Sequence, residues 1–287
     1  MTRSSLPTPA TLDERTAEQV EQAVALLRGR RVVALTGAGM STDSGIPDYR
    51  GPDAPPRTPM TFQQFVSGPV AQQRYWARSH LGFSTIGRAM PNPGHLSMAR
   101  LETAGPLGFL ITQNVDGLHE AAGSRSMVAL HGRIAGVICL DCRRVSSRER
   151  LHRRLDELNP DFVQQLPEQL RVNPDGDVEL ENTAGFRVAR CEVCGGVLKP
   201  DVVFFGETVP PDRVARSYAA IESAGALLVA GSSLTVMSGY RFVRRAAKLG
   251  LPVVIVNRGI TRGDGEATVK LDAACAPVLG ALADALA

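Results

Sequence analysis

Residues 31–51 read RVVALTGAGMSTDSGIPDYRG. Val32, Val33, Ala34 and Leu35 form an unbroken apolar run of strand length, and two glycines follow at once. A run that is apolar on both faces suits a parallel strand covered on either side by helices. Gly37 and Gly39 let backbone come close to a ligand, and the N–H groups after them can cradle phosphate. A lone G-x-G also describes a plain strand-to-helix turn. The next glycine, Gly45, comes six residues after Gly39, so the G-x-G-x-x-G dinucleotide fingerprint is not met. No acidic residue ends a clear second strand, so a plain dehydrogenase fits poorly. The segment SGIPDYR, 44–50, then has to fold over whatever binds.

Working outward, Ala17, Val20, Val24 and Leu27 fall at helical spacing and Gly29 stops the helix. Further apolar runs lie at 108–112, 127–130, 226–231, 252–257 and 268–271, with helical stretches between several of them, such as 239–249, and 274–287 after the last. This alternation predicts an α/β fold with a doubly wound, Rossmann-like, mainly parallel sheet. Residues 16–46, 96–132 and 200–287 are assigned to that sheet domain, after a flexible tail at 1–15. Two stretches break the pattern. Residues 47–95 are rich in Pro, Gln and aromatics, with helical pieces near 61–66 and 70–80. Residues 133–199 hold four of the five cysteines and the turn-rich NPDGD at 173–177. Both are read as insertions that build a smaller helical and zinc-binding module.

Bulk composition excludes some classes. The 287 residues carry a net charge of +3, too mild to imply nucleic acid or a membrane surface as partner. The basic residues are scattered, and the densest group, Arg143–Arg154, is interleaved with acids such as Glu149 and predicts a solvated helix face. No apolar run approaches membrane-spanning length, and the N-terminus lacks the apolar core of a secretory signal. A cytoplasmic protein is expected, in whose reducing surroundings disulfides are a poor account of the cysteines.

Cys139-x-x-Cys142 and Cys191-x-x-Cys194 offer four thiolates with 48 residues between the pairs. Four sulfurs close a tetrahedral site to water, which makes a zinc there structural. Redox chemistry is the alternative for one C-x-x-C, but neither pair stands at a strand-to-helix start. Cys275 is left over. A second polar concentration, TQNVDGLH at 112–119, follows the apolar run 108–112 directly. Gln113, Asn114, Asp116 and His119 there either cap the next helix or line a pocket. His131 ends the run 127–130 and has a side chain that accepts protons near neutrality.

In order along the chain, GAGMSTDSGIPDYR, TQNVDGLH, LHG at 130–132, the two C-x-x-C pairs, KPDVVFFGE at 199–207, GSSLTV at 231–236 and VNRG at 256–259 resemble the motifs of the sirtuins, NAD-dependent protein deacylases. The resemblance runs from about Val32 to Cys275. RYWARSHLGF at 74–83, the long spacer between cysteine pairs and GSSLTVMSGYRF look most like the class II sirtuins. Tyr49 stands where many sirtuins have Phe, which keeps the ring.

The resemblance implies NAD consumed as a co-substrate, acylated-lysine proteins as partners, and one structural zinc on Cys139, Cys142, Cys191 and Cys194. It implies His131 as general base for a ribose hydroxyl, and Asn114 and Asp116 beside the nicotinamide and its ribose. It implies NAD contacts from Gly37, Ala38, Gly39, Ile46, Asp48, Tyr49, Arg50, Gln113, Gly231, Ser232, Ser233, Asn257 and residues near Cys275. His119 is expected only to brace its loop, and Ser232 and Ser233 can cap a helix as well. VVFFGE is strand-like, and the resemblance implies that this loop pairs by backbone with the substrate peptide as an added strand, with Val203, Phe204 and Phe205 walling an acyl-lysine tunnel. Tyr75 and Arg78 have the Y-x-x-R spacing with which some sirtuins grip an acidic acyl group, and the equal alternative is an exposed helix face carrying Arg74 and Arg78. The rival functions are protein mono-ADP-ribosyl transfer, which uses the same NAD cleavage, and a non-enzymatic NAD sensor.

Overall fold

The structure, a computed structural model, describes residues 12–51, 58–162, 177, 178, 180 and 182–287. Most of the expected tail (1–11) and most of the NPDGD turn (173–176) lie outside the described residues. The first helix, α1 (Glu14–Leu27), begins earlier than its apolar spacing indicated, because the Asp13 side chain caps it by accepting from the Thr16 N–H at 2.7 Å.

The chain continues through β1 (Val32–Thr36), two single-turn 3-10 segments at 38–40 and 42–44, α2 (Phe62–Val66), α3 (Pro69–Ile86), α4 (Pro93–Ala104) and β2 (Leu107–Thr112). Next come α5 (Leu118–Ala122), β3 (Met127–Ala129), β4 (Gly132–Cys139), β5 (Val145–Ser147), α6 (Arg148–Leu158) and β6 (Leu198–Val202). The last elements are α7 (Pro211–Glu222), β7 (Ala226–Ala230), α8 (Met237–Lys248), β8 (Val253–Val256), β9 (Val269–Leu271) and α9 (Cys275–Leu286).

Six strands form one parallel sheet in the order β3-β2-β1-β7-β8-β9. Strand order therefore reverses between β1 and β7, and a crevice opens at the carboxyl ends of these two strands, where such sheets place ligands. Alternation along each strand explains the continuous apolar runs. Val32 and Ala34 face a cluster with Val20 and Leu27 of α1, Met98 and Leu101 of α4, and Val278, Leu279 and Leu282 of α9. Val33 and Leu35 face the opposite cluster, with Ile221 of α7 and Phe242, Val243 and Ala246 of α8. Each fully buried Val, Leu, Ile or Phe contributes about 1.5–3 kcal/mol, so both faces of the sheet are committed to helices.

The smaller module has its own sheet, β5-β4-β6, antiparallel throughout. Its core joins Phe65, Tyr75 and Trp76 of the first insertion to Val137, Leu151, Leu155, Phe186 and Leu198 of the second. Thus the two insertions, far apart in sequence, pack as one body. One sequence expectation fails here. Arg148, inside the stretch read as a solvated helix face, is 0% exposed. Its guanidinium lies 5.1 Å from the centre of the Trp76 ring and 4.5 Å from that of Phe83, and donates to the Ser79 carbonyl at 3.0 Å. Arg can be buried this way because its flat, weakly hydrated cation stacks on aromatic faces.

Of the strand-like VVFFGE only the first residue is in a strand. The strand β6 ends at Val202, and beyond it only Phe205 makes a parallel bridge, with Thr61. The loop is held instead by side chains and backbone. Glu207 accepts from the Phe204 N–H at 2.9 Å and pairs with the buried Lys199 ammonium at 3.0 Å, while the Val203 N–H donates to the His131 carbonyl at 2.7 Å.

Candidate active site

A single cavity of about 830 Å³ runs from the carboxyl ends of β1 and β7 to the junction with the small module. The glycine loop forms its floor. The Gly37 N–H donates to the Ala230 carbonyl and the Gly39 N–H to the Gly231 carbonyl, at 3.1 and 2.9 Å. A Cβ on Gly37 would stand 2.8 Å from the Gly231 oxygen, and one on Gly231 (φ +62°) would stand 2.3 Å from the Met40 nitrogen. These glycines are therefore required by backbone meeting backbone at the point where strand order reverses, and the loop N–H groups border the cavity.

Asn114 and Asp116 converge on a residue the sequence reading passed over. The Ser41 hydroxyl donates to the Asp116 carboxylate at 2.7 Å and accepts from the Asn114 amide at 3.0 Å. Asn114 also donates to the Gly37 carbonyl at 3.0 Å, and Asp116 accepts the Leu118 N–H at 2.9 Å. Burial pushes the Asp116 carboxyl up from its ordinary value, and the Leu118 and Ser41 hydrogen bonds oppose the shift. So the polar cluster after β2 both caps α5 and lines the cavity. The one sequence signal for Ser41 is its place directly after GAGM.

His131 has a defined protonation pattern. Its Nδ1 lies 2.9 Å from the Gln113 carbonyl oxygen, which can only accept, so Nδ1 carries the hydrogen. Its Nε2 is then the bare acceptor, and it lies 2.9 Å from the Ser238 hydroxyl. Burial lowers the imidazole pKa to about 4, so the ring is neutral at pH 7. His119 is buried with Nε2 3.0 Å from the Thr36 hydroxyl, beneath the loop and away from the cavity lining, as a bracing residue would be.

The other expected NAD contacts line the same cavity. Ala38, Ile46, Asp48, Tyr49 and Arg50 come from the glycine loop and the segment over it, and Asp48 closes a turn by accepting the Gly51 N–H at 2.8 Å. Ser232, Ser233, Asn257 and Cys275 lie along β7, β8 and the start of α9. The Gln113 amide donates to the Ser232 hydroxyl at 2.9 Å. The Cys275 thiol is buried and pushed up to about 12 by that burial, so it offers no nucleophile.

Tyr75, Val203, Phe204 and Phe205 reach the cavity from the small module, and the Tyr75 and Phe204 rings lie 5.1 Å apart. Arg78 does not join them. Its guanidinium turns to Asp177 at 3.0 Å and to the Val178 carbonyl at 2.6 Å, and it is absent from the cavity wall. The expected Tyr75–Arg78 carboxylate grip is thus not assembled, because a nearer buried carboxylate claims the cation.

The four paired cysteines come together. Cys139 and Cys194 sulfurs are 3.5 Å apart, Cys142 and Cys191 sulfurs 3.8 Å, and all four lie within 4.8 Å of one another. Zinc–sulfur bonds of about 2.3 Å in a tetrahedron require sulfurs about 3.8 Å apart, so the residues fit the metal. Backbone N–H groups of Val193 and Cys194 pull the Cys191 thiol down to about 6, while, against a Gly196 N–H bond, the neighbouring cysteine sulfurs push Cys194 up to about 12, so a zinc ion binding here displaces a proton from the cluster. The cluster lies in the small module at the ends of β4 and β6 and supplies no cavity residue. His80, His152 and Asp156 also cluster, but beside the buried Arg148 cation, which opposes a metal ion there.

The profile of the Sir2 family matches residues 37–238, more than half of the chain. The chain belongs to the Sir2 family. This sirtuin is 55% identical over 265 residues to NAD-dependent protein deacetylase 1 of Mycobacterium avium (strain 104), covering 92% of this chain and 94% of that one. It is 54% identical over 264 residues to NAD-dependent protein deacetylase 1 of Streptomyces coelicolor, covering 91% and 87%. Among solved structures it resembles one described as Sir2-p53 peptide-NAD+, with a TM-score of 0.73 at 30% identity, covering 91% of the sirtuin and 95% of that chain. The sirtuin fold accounts for both the parallel sheet and the smaller module.

Proposed function

We propose that the protein removes acetyl groups from lysine side chains of proteins, consuming NAD. The observation that carries this is the tautomer of His131. A neutral imidazole with Nδ1–H anchored on the Gln113 carbonyl presents Nε2 as a base, in the same cavity as Asn114, Asp116 and the glycine loop. NAD-dependent protein deacetylases related to this chain at 54–55% identity support the reading, as does the structural likeness to a Sir2 bound to peptide and NAD.

The donor set fits NAD. NAD bound here would supply an electrophilic ribose carbon to the acyl oxygen, with nicotinamide as the leaving group. With the Gly37 and Gly39 N–H groups bonded to the Ala230 and Gly231 carbonyls, the Ala38 N–H is the one the glycine loop offers to phosphate, and the glycines let the ligand come close. Ser232, Ser233, Asn257 and Gln113 offer hydroxyl and amide groups to the sugars. Asp116, oriented by Ser41, places a carboxylate where positive charge develops, and Asn114 orients the reacting ring. Asp48, Tyr49 and Arg50 cover the site and restrict water. His131 then accepts the proton of a ribose hydroxyl so that its oxygen attacks the acyl carbon. Zinc on the four cysteines supplies structure alone, since four thiolates leave no open position.

Val203, Phe204 and Phe205 wall the acyl channel, and the peptide backbone is read as lying between this loop and the flap. With Arg78 tied to Asp177, the channel presents Tyr75 and apolar groups, which favours neutral acyl chains over acidic ones. The class II assignment rests on the sequence motifs around Tyr75 and Ser238. A reducing, cytoplasmic setting suits a tetrathiolate site. The deciding experiment is nicotinamide release from NAD with acetyl-, succinyl- and lipoyl-lysine peptides. Steady release with acetyl peptide, slowed together with O-acetyl-ADP-ribose formation in His131→Ala, supports the reading. ADP-ribose left on protein without O-acetyl-ADP-ribose would replace it by mono-ADP-ribosyl transfer, and tight NAD binding with no turnover by a sensor.

A further inference from the structure

His131 is not alone at its reactive nitrogen. Nε2 has one lone pair, and the Ser238 hydroxyl lies 2.9 Å from it. Because Nδ1 holds the hydrogen, Ser238 must be the donor in this contact. A ribose hydroxyl cannot donate to the same lone pair while Ser238 does. Ser238 itself lines the cavity, near the start of α8.

The approach of α8 is built. Gly239, the next residue, lies against Gln113, whose carbonyl anchors the other side of the imidazole. A Cβ on Gly239 would stand 2.4 Å from the Gln113 Oε1. The missing side chain lets α8 come close enough for Ser238 to reach His131. The same Gln113 is held by Thr36 and Ser232. The ring is thus gripped on both nitrogens by groups fixed to the sheet.

We propose that Ser238 is a second member of the catalytic base, a hydroxyl that relays the ribose proton to His131. This rests on the deacetylase reading above. A serine hydroxyl both donates and accepts, which is what a relay requires. In the step, the ribose O–H bond breaks and its proton forms a new O–H bond to the Ser238 oxygen. The original Ser238 O–H bond breaks as the Nε2–H bond of His131 forms. The electron pair left on the ribose oxygen bonds to the acyl carbon, and the carbon–nitrogen π pair of the acyl group moves onto the lysine nitrogen. One proton moves from ribose to His131, and Ser238 ends as it began.

The test separates two partial reactions on the full-length, zinc-loaded protein with NAD and an acetyl-lysine peptide. Exchange of labelled nicotinamide into NAD reports cleavage, which precedes the base step. Formation of O-acetyl-ADP-ribose in a single turnover reports the base step. Ser238→Ala is expected to lower product formation by about 10²-fold while exchange persists, and Ser238→Thr, which keeps a hydroxyl, is expected to recover most of the loss. In mixtures of light and heavy water the wild type should show a curved dependence of rate on deuterium fraction, from two protons in flight, and Ser238→Ala a straight line. Product formation that falls no more than exchange in Ser238→Ala, or a straight line in the wild type, would overturn the relay. Absence of exchange in the wild type would instead overturn the deacetylase reading, and the relay with it.

Discussion

The Asn114–Ser41–Asp116 contacts show how little freedom the reacting groups have. Ser41 alone joins two of them, so Ser41→Ala takes from the Asn114 amide one of its two acceptors, leaving the Gly37 carbonyl, and leaves the buried Asp116 one donor short. A lost hydrogen bond to a charged group costs about 1.5–3 kcal/mol, and the expected result is a fall of roughly 10- to 100-fold in kcat/KM. His131→Ala should remove about 10²–10⁴-fold of O-acetyl-ADP-ribose formation. The depressed pKa of His131 also sets the acid side of the activity. The base works only when neutral, so kcat/KM should fall as pH drops through about 4, not through the ordinary histidine range. A stopped assay with short exposure to acid measures this limb before the fold is lost.

At the scale of elements, the carboxyl ends of β1 and β7 meet so closely that side chains are excluded. Gly231→Ala combines a positive φ with a Cβ placed on the Met40 backbone, and a loss of at least about 1–3 kcal/mol in urea unfolding is expected. For Arg78→Ala the expectation is loss of stability, not a change in acyl preference. The pair with Asp177 is mostly buried, at 14% and 5% exposure, and breaking such a pair costs about 3–5 kcal/mol. Equal acetyl-to-succinyl ratios before and after the substitution, with a lower Tm, would agree. A strong chelator should loosen the small module first, since four thiolates tie β4 to the segment before β6. Hydrogen exchange would show 132–139 and 198–202 losing protection before the strands of the large sheet.

For the molecule as a whole, burial governs the response to acid. His95, His119 and His131 are held neutral, with pKa values lowered to about 4, 3 and 4 by burial, and His80 likewise to about 4. Unfolded, each takes up a proton near pH 6.5. Between about pH 6.5 and 4 the unfolded chain therefore binds more protons than the folded one, and stability falls as pH is lowered through that window. Thermal unfolding followed from pH 7.5 to 4.5 should show Tm dropping mainly below pH 6.5. Replacing His95 by Asn should make the drop shallower.

The sequence by itself determined the class of fold, the place of the glycine loop, the zinc ligands and the family. These depend on local rules: an apolar run covered on both faces, glycines where no side chain fits, and cysteines at metal spacing. His131 was legible as a proton acceptor, and its role as a base came with the family motifs. Only the tertiary structure decided what each side chain touches. Arg78 and Asp177 lie 99 positions apart, and their pairing turns an apparent carboxylate grip into a brace. Arg148 sits in a charged run, yet the rings of Trp76 and Phe83 bury it. Ser41 reaches Asp116, and Ser238 reaches His131, only because the strand ends and α8 converge on one crevice. Local periodicity reports which face of an element is covered. It does not report the partner, because partners are set by contacts between residues remote along the chain.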